Sequence, residues 1–234
     1  MKFYVLSLFT DIIDSYFSNS IMKRAVEKGI IDFSLINFRD FALDKHKTCD
    51  DAPYGGGAGM VLKPEPISRA LDSISAAGKR IIVPSPSGKL YNQEKAHELS
   101  LEEDLVFVCG RYEGIDFRLI EEYKCEELCI GNYVLSSGEI AALVIIDSVY
   151  RLIEGVIKGE SLEEESFTDG LLEYPHYTRP EVFRNRKVPE ILLSGNHAKI
   201  EEWRYNKRLE KTRINRPELI NKPQGDKNGN DKSD

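Results

Sequence analysis

The stretch LVFVCGRYEG at positions 105–114 does most to decide the fold. An apolar run of four residues is followed by two glycines that frame an arginine, a tyrosine and a glutamate. Short apolar runs of this kind are typical of strands buried on both faces of a sheet. A parallel α/β sheet places ligand-binding backbone at the ends of such strands. The alternative is a plain strand-to-helix turn with a surface ion pair.

Similar apolar runs alternate with helical patterns along the first 158 residues. Strands are predicted at 2–9, 32–38, 80–84, 105–109 and 127–130. Helices are predicted at 12–28, 65–76, 93–99, 116–123 and 138–153. This alternation predicts an α/β fold with a mostly parallel sheet, so positions 1–158 are expected to form one α/β domain.

The composition changes after position 158. Positions 159–175 contain two glycines and an acidic cluster, which predicts a flexible interdomain linker. From position 176 onward we find no strand pattern, and a charged stretch at 199–209 predicts a helix, so 176–220 is expected to be a small helical C-terminal domain. Positions 221–234 contain only Asn, Gly, Lys, Asp, Ser, Pro and Gln, which predicts a disordered tail.

The bulk composition restricts the class of protein. The 234 residues are 41% hydrophobic, enough for a real core. There is no apolar run of about 18 residues, so no membrane span and no membrane partner is expected. The N-terminus carries only Lys2 before its apolar run and is interpreted as a strand, not a signal peptide. The four cysteines are scattered, which indicates reduced thiols and a cytoplasmic protein, and neither they nor the dispersed histidines predict a metal site.

The net charge of −7 hides an asymmetry along the chain. Positions 1–178 hold 18 Lys and Arg against 30 Asp and Glu, which gives −12, whereas positions 179–216 hold 11 against 5, which gives +6. A basic C-terminal part on an acidic body indicates a local contact with a polyanion. A solvated helical face is the alternative, and charge alone favours it.

Three further segments carry candidate chemistry. PYGGGAGM at 53–60 allows close backbone approach, although a flexible surface turn has the same composition. IGNYVLSSGE at 130–139 follows a predicted strand and is apolar in its middle, as a backbone-lined adenine pocket or a buried connection would be. SFTDGLLEYPHYTRP at 166–180 contains Asp169, which an ordinary Asp-Gly turn would also explain.

Five motifs in order resemble the bacterial tRNA (guanine-N1)-methyltransferase family TrmD, of the SPOUT class. They are PYGGGAGM (53–60), VCGRYEGID (108–116), IGNYVLSSGE (130–139), SFTDGLLEYPHYTRPEVF (166–183), and LSGNH (193–197) followed by Trp203-Arg204. The resemblance covers position 1 to about position 219. It implies a SPOUT-type sheet with a deep trefoil knot, a homodimer with each site at the interface, and S-adenosylmethionine as methyl donor. The acceptor it implies is N1 of guanine at tRNA position 37, and it implies dependence on magnesium, for which Glu113 is a candidate ligand.

The resemblance also implies the site residues. Family cofactor contacts fall on Gly110, Ile130, Gly131, Asn132, Tyr133, Val134 and Leu135. Four further pocket members are implied, namely Ser85, Pro86, Glu113 and Gly138. The catalytic pair falls on Asp169 and Arg151. The chain departs from the usual family pattern at Asn132, where Asp is usual, at Ser137, where Gly is usual, and at Ala58, where Pro is common.

These residue types suit methylation of guanine N1. That nitrogen carries a proton at neutral pH, so the reaction needs a general base, a role open to Asp169. Negative charge then spreads to O6, where the Arg151 guanidinium would stabilise it. From position alone, the preferred interpretation of Arg151 is a cation that favours a helix C-terminus. The candidates for stacking on a displaced base are Tyr174, Tyr177, Phe183 and Trp203. The candidates for phosphate contacts are Arg179, Arg184, Arg186, Lys187, Lys199, Arg204, Lys207 and Arg208.

Two other classes of protein compete with this interpretation. A non-catalytic RNA-binding member of the same fold would keep the pocket, but the presence of Asp169 and Arg151 argues against it. A Rossmann dehydrogenase would need GxGxxG after the first strand, and Phe9-Thr10-Asp11 contains no glycine.

Overall fold

The computed structural model describes residues 1–157, 159 and 165–220. The chain divides into two compact units, Met1–Lys158 and Gly159–Asp234. The predicted disordered tail at 221–234 and part of the predicted linker, 160–164, lie outside the described residues. In the described part of the chain, no helix is long and apolar enough to cross a bilayer.

The first unit is built on a parallel sheet, which confirms the predicted α/β class. Its five strands are β1 (Lys2–Ser7), β2 (Asp32–Asn37), β5 (Arg80–Leu90), β6 (Asp104–Val108) and β7 (Glu126–Cys129). They lie in the order β2-β1-β6-β5-β7, and every pairing is parallel. A separate antiparallel pair, β3 (Asp50–Asp51) and β4 (Val61–Leu62), is too short to give a sequence pattern.

Six α-helices connect these strands. They are α1 (Thr10–Phe17), α2 (Ser20–Glu27), α3 (Pro64–Ser73), α4 (Gln93–Ser100), α5 (Phe117–Glu122) and α6 (Gly138–Tyr150), with a 3-10 helix at Phe38–Phe41. The prediction of a single helix at 12–28 is wrong, because the helix is interrupted between Ser18 and Ser20. The Asn19 side chain donates to the Ser15 carbonyl at 2.6 Å, and Ser20 has a φ of 57°. Short polar side chains compete with helical hydrogen bonds in this way.

The central strands of the sheet are buried on both faces, which explains their continuous apolar runs. Phe3 and Val5 of β1 and Phe107 of β6 pack into a cluster with α1, α2, α4 and α6. The alternate residues, including Leu6 and Val108, pack into a second cluster with α3 and α5. Side chains alternate between faces along a strand, so each run must be apolar at every position. The core therefore holds the strand ends that carry the site.

Strand β5 runs six residues beyond the predicted end at position 84. Its pairing with β7 shifts register between Pro84 and Lys89, so 85–88 bulges away from the ladder before pairing resumes at Lys89. A β-carbon at Gly88 would overlap the Glu127 backbone, so the bulge requires glycine there. Sequence patterns end a strand at proline, whereas this strand continues past Pro84 because the bulge removes Pro86 from the regular ladder.

The second unit contains a hairpin as well as helices. Its elements are β8 (Val182–Phe183), β9 (Arg186–Lys187), α7 (Glu190–Leu193), α8 (His197–Asn215) and a 3-10 helix at Pro217–Leu219. The expectation of no strands after position 176 is therefore wrong. Both hairpin turn residues, Arg184 and Asn185, have positive φ, as a two-residue hairpin turn requires.

The described part of the predicted linker, 165–175, contributes to the second unit. The Glu173 N–H donates to Ser166 Oγ at 3.1 Å, the Leu172 N–H donates to Thr212 of α8 at 2.9 Å, and Tyr174 is buried. These contacts give the segment a defined place against α8, which its polar composition did not predict.

Candidate functional site

A cleft of about 450 Å³ opens in the first unit at the ends of β6 and β7 and beside the bulge of β5. It is lined by residues 83–87, 110–115, 127–131 and 133–138, with Phe117, Ile120 and Ala141. Because neighbouring parallel strands end at the same edge, the loops that follow them converge there. Two of these loops carry the motifs at 108–116 and 130–139, so segments separated by residues 117–129 form one wall. We call this the strand-end cleft.

Most residues implied by the resemblance as cofactor contacts lie on this cleft. They are Ser85, Pro86, Gly110, Glu113, Ile130, Gly131, Tyr133, Val134, Leu135 and Gly138. Asn132 is exposed in the turn between Gly131 and Tyr133, away from the cleft wall. The Tyr133 N–H donates to the Gly131 carbonyl at 2.8 Å and its hydroxyl donates to the Ile130 carbonyl at 3.3 Å, so this turn is held by its own hydrogen bonds.

The two motif loops touch directly through glycine. The Gly138 N–H donates to the Gly110 carbonyl at 2.9 Å. A β-carbon at position 138 would lie 2.8 Å from the Gly110 nitrogen and 3.1 Å from Cys109 Cα. Such distances are closer than carbon atoms tolerate next to fixed backbone, so only glycine allows α6 to begin here.

A buried ion pair at the cleft was missed by the sequence analysis. Glu139, in the first turn of α6, is fully buried and accepts hydrogen bonds from Ser7 Oγ at 2.5 Å and from Arg111 Nε at 3.0 Å. The Arg111 guanidinium lies over the Phe9 ring, 4.4 Å from its centroid. Arg111 also lines the cleft and gives its wall a fixed positive charge. A glutamate within a strongly apolar helix was the available signal, because a buried charge needs a partner.

Burial makes two of the thiols in the first unit poor nucleophiles. It raises the pKa of Cys109 well above its usual value, and the Glu139 carboxylate adds to this effect. Burial also raises the pKa of Cys125 to about 11. A thiol reacts as its thiolate, so these two cysteines are structural.

Asp169 lies in the second unit, in a turn before Gly170, with half of its side chain exposed. Its Oδ1 accepts a hydrogen bond from the Leu171 N–H at 3.2 Å and forms an ion pair with Arg208 of α8. Partial burial raises the pKa of this carboxyl, but the Arg208 guanidinium and the Leu171 N–H outweigh burial and hold it below its usual value. Asp169 is therefore ionised at neutral pH.

Arg151 occupies the C-cap of α6 in the first unit and is half-buried. This position agrees with both roles considered from sequence, a cation at a helix C-terminus and a donor toward a developing anion. Arg151 and Asp169 belong to different units, so each is defined here by its own surroundings.

A second cleft of about 890 Å³ in the first unit adjoins the start of the glycine-rich motif. Its wall includes Pro53, Tyr54, Lys63 and Arg69, and Glu113 lines both clefts. A β-carbon at Gly59 would overlap the Glu113 side chain, so the glycine-rich loop and Glu113 pack together. The glycine-rich loop therefore borders the strand-end cleft through Glu113, whose side chain lines both clefts.

The described residues form no cluster of metal ligands. Across residues 1–157, 159 and 165–220, no three His, Cys, Asp or Glu side chains converge as metal ligands. Magnesium usually keeps several of its waters and binds through one or two carboxylates, so Glu113 stays a candidate ligand. We assign no step to magnesium.

A parallel α/β sheet with a glycine-lined cleft beyond adjacent strand ends defines an α/β protein that binds a small ligand at its strand ends. The sequence profile of the family described as tRNA (Guanine-1)-methyltransferase TrmD matches residues 1–222. The chain therefore belongs to this family.

Several relatives carry the name tRNA (guanine-N(1)-)-methyltransferase. The protein from Treponema denticola is 64% identical over 222 residues, which cover 95% of this chain and 91% of the relative. The protein from Borreliella burgdorferi is 61% identical over 237 residues and 99% of both chains. The protein from Treponema pallidum is 59% identical over 220 residues, which cover 94% of this chain and 88% of the relative.

Proposed function

We propose that this protein transfers a methyl group from S-adenosylmethionine to N1 of the guanine at tRNA position 37, next to the anticodon. The observation that carries the proposal is the family match along residues 1–222, with the family motifs forming the walls of the strand-end cleft. The relatives' shared name supplies the reaction, and the cleft supplies a site for the methyl donor.

The strand-end cleft fits S-adenosylmethionine in size and chemistry. Its volume of about 450 Å³ lies within the usual range for small-molecule sites, about 300–1,000 Å³. The backbone of 130–135 offers N–H and C=O groups to an adenine. Arg111 suits a carboxylate, and Glu113 or Glu127 suits an ammonium group. When bound, the donor supplies a methyl group already activated by its sulfonium charge.

The chain's own residues then deal with the acceptor. Asp169, ionised in its turn, removes the N1 proton of guanine as general base. Arg151, at the end of α6, stabilises the negative charge that develops on O6. General-base help of this kind contributes about 10²–10⁴ to the rate. The proposal requires Asp169 to reach a strand-end cleft, in its own chain or in a partner's.

A trefoil knot of SPOUT type belongs to the same proposal. Strand β7 lies at the sheet edge, two positions from β6, and β5 lies between them. The chain after β7 nevertheless begins α6 beside Gly110, at the end of β6. It must therefore cross the end of β5, as a knotted connection would.

A homodimer is supported by an apolar face on α6. Ile140 and Val144 lie one helical turn apart and are 45% and 46% exposed. Two large aliphatic side chains on a helix at the mouth of the cleft suit a surface that a second copy covers. We also place the protein in the cytoplasm, where its cysteines would remain free thiols.

The binding of tRNA is assigned to the second unit. Its hairpin carries Arg184, Arg186 and Lys187, all exposed, and Phe183 beside them is exposed as well. Basic groups with an interleaved aromatic ring suit phosphates and an unstacked base. A dependence on magnesium stays a prediction from the resemblance.

The proposal is tested by incubating unmodified tRNA with the protein and S-adenosylmethionine, followed by mass spectrometry of the nucleosides. We expect N1-methylguanosine at position 37 from the wild-type protein. Asp169→Asn should produce none while it still binds S-adenosylhomocysteine in calorimetry, because the cleft lies in the other unit. Product at wild-type rate from Asp169→Asn would refute the base assignment, and unmethylated tRNA after incubation with wild-type protein would refute the function.

A further inference from the structure

Two side chains of α8 hold the turn that carries Asp169. Arg208 donates from one guanidinium nitrogen to Asp169 Oδ1 and from Nε to the Leu172 carbonyl at 3.3 Å. Thr212, one helical turn further on, accepts the Leu172 N–H at 2.9 Å and donates to the Arg208 carbonyl at 2.7 Å. The turn is thus bound to the helix at both of its ends.

The burial of these two residues distinguishes them from surface cations and hydroxyls. Thr212 is fully buried, and the Arg208 side chain is only 13% exposed. From the sequence, Arg208 is one of the residues open to RNA phosphates. Its guanidinium instead bridges a carboxylate and a carbonyl with two donors in a fixed planar arrangement, which the compact ammonium of lysine does not match.

Two hydrogen bonds to the Asp169 carboxylate share one oxygen. Both the Leu171 N–H and Arg208 donate to Oδ1. Arg208 is the charged group that faces this carboxylate from α8. Two other pairs of charged groups in the described second unit do not include Asp169. Arg216 pairs with Glu218, and His176 Nε2 lies 3.6 Å from Glu173 Oε2.

We infer that Arg208 is the positioning residue of the proposed base, fixing Asp169 through Oδ1 so that Oδ2 receives the proton from guanine N1. This inference rests on the proposed function. The N1 proton passes to Oδ2, and the N1 electron pair forms the bond to the methyl carbon. The carbon–sulfur electron pair remains on sulfur. Arg208 touches neither reacting atom and acts through the carboxylate that it orients.

The test compares Arg208→Gln, Arg208→Lys and wild-type protein in single-turnover methyl transfer from pH 3 to 8. Misplacing a reacting group costs up to about 100-fold, so Arg208→Gln should lose roughly 10- to 100-fold in rate. Arg208 holds the Asp169 pKa down, so its loss must raise that pKa. As the pH is lowered, the rate of Arg208→Gln should therefore begin to fall at a higher pH than the rate of wild type. In Arg208→Lys, the pH at which the rate falls should lie closer to that of wild type, and only part of the lost rate should be recovered.

Arg213→Gln is the matched control, since it removes one positive charge from an exposed position of the same helix. Arg213→Gln should leave the pH dependence of the rate unchanged. Calorimetry should give the same affinity for S-adenosylhomocysteine in every variant. A wild-type rate and pH dependence in Arg208→Gln would overturn the inference, as would a lower rate with an unchanged pH dependence. If Arg208→Gln does not fold, full activity in Arg208→Lys would overturn it. The proposed function is judged separately, by wild type and Asp169→Asn.

Discussion

At Gly138, a hydrogen atom in place of a β-carbon lets the start of α6 lie against the backbone of Gly110. The same approach brings Ser137 and Glu139 to the cleft, one on its wall and the other beneath Arg111. Among the residues implied as cofactor contacts, Gly138 is thus the one whose role follows directly from the geometry of the backbone.

We predict that Gly138→Ala destabilises the first unit and weakens cofactor binding. The new methyl group would force the two loops apart, and overpacking of this kind costs about 1–3 kcal/mol in the free energy of unfolding. Urea unfolding and calorimetry with S-adenosylhomocysteine measure the two effects. Gly110→Ala is the control for stability, because its β-carbon would lie 3.6 Å from the Ile115 side chain, an ordinary contact. Equal stability of the two variants would contradict this account.

At the scale of elements, the β8–β9 hairpin projects basic side chains with little apolar support of its own. Val182 and Phe183 are both exposed, and the Arg184 guanidinium lies 5.3 Å from the centre of the Phe183 ring. An exposed element of this composition is stabilised by few contacts within the chain, so its sequence is free to serve a ligand.

We predict that reversing the charges of Arg184 and Lys187 to Glu weakens tRNA binding and flattens its dependence on salt. Each lost phosphate contact removes roughly 0.7–0.9 from the slope of log affinity against log salt. Filter binding at several salt concentrations measures that slope. Reversal of two exposed lysines of α2, Lys23 and Lys28, is the control and should leave the slope unchanged. An unchanged slope in the hairpin variant would remove this element from the RNA-binding surface.

The elements also show how far the sequence predicts this protein. Every strand of the five-stranded sheet was predicted. Burial on both faces demands continuous apolar runs in its central strands, such as 105–108, whereas the edge strand β2 is only partly buried. The convergence of the loops after β6 and β7 followed from parallel pairing. The hairpin was missed because its strands are two residues long and exposed, and their alternation carries no burial signal.

Contacts between distant positions were beyond the sequence. Ser7 meets Glu139 and Asp169 meets Arg208 across 132 and 39 positions, and no local pattern specifies such partners. The roles of Asp169 and Arg151 came from the resemblance, since an ordinary turn and a helix C-terminus were sufficient explanations of these residue types.

At the scale of the whole molecule, we predict a homodimer that depends on the apolar face of α6. Ile140→Glu combined with Val144→Glu should give a monomer in sedimentation velocity and abolish methyl transfer, since charges there cannot be buried by a second copy. Leu101→Glu, at a position 86% exposed beyond α4, is the control and should remain dimeric. A wild-type monomer, or a dimer in the double variant, would contradict the prediction.

The hydrogen bond between the Ser7 and Glu139 side chains has a consequence for the synthesis of the protein on the ribosome. It joins the end of the first strand to the first turn of the sixth helix, with 132 positions of chain between them. On the ribosome, β1 emerges long before its partner exists, so the pocket acquires its final form only when α6 has left the exit tunnel. Such distant pairing slows folding, and a nascent chain that ends before position 138 has no complete place for the methyl donor.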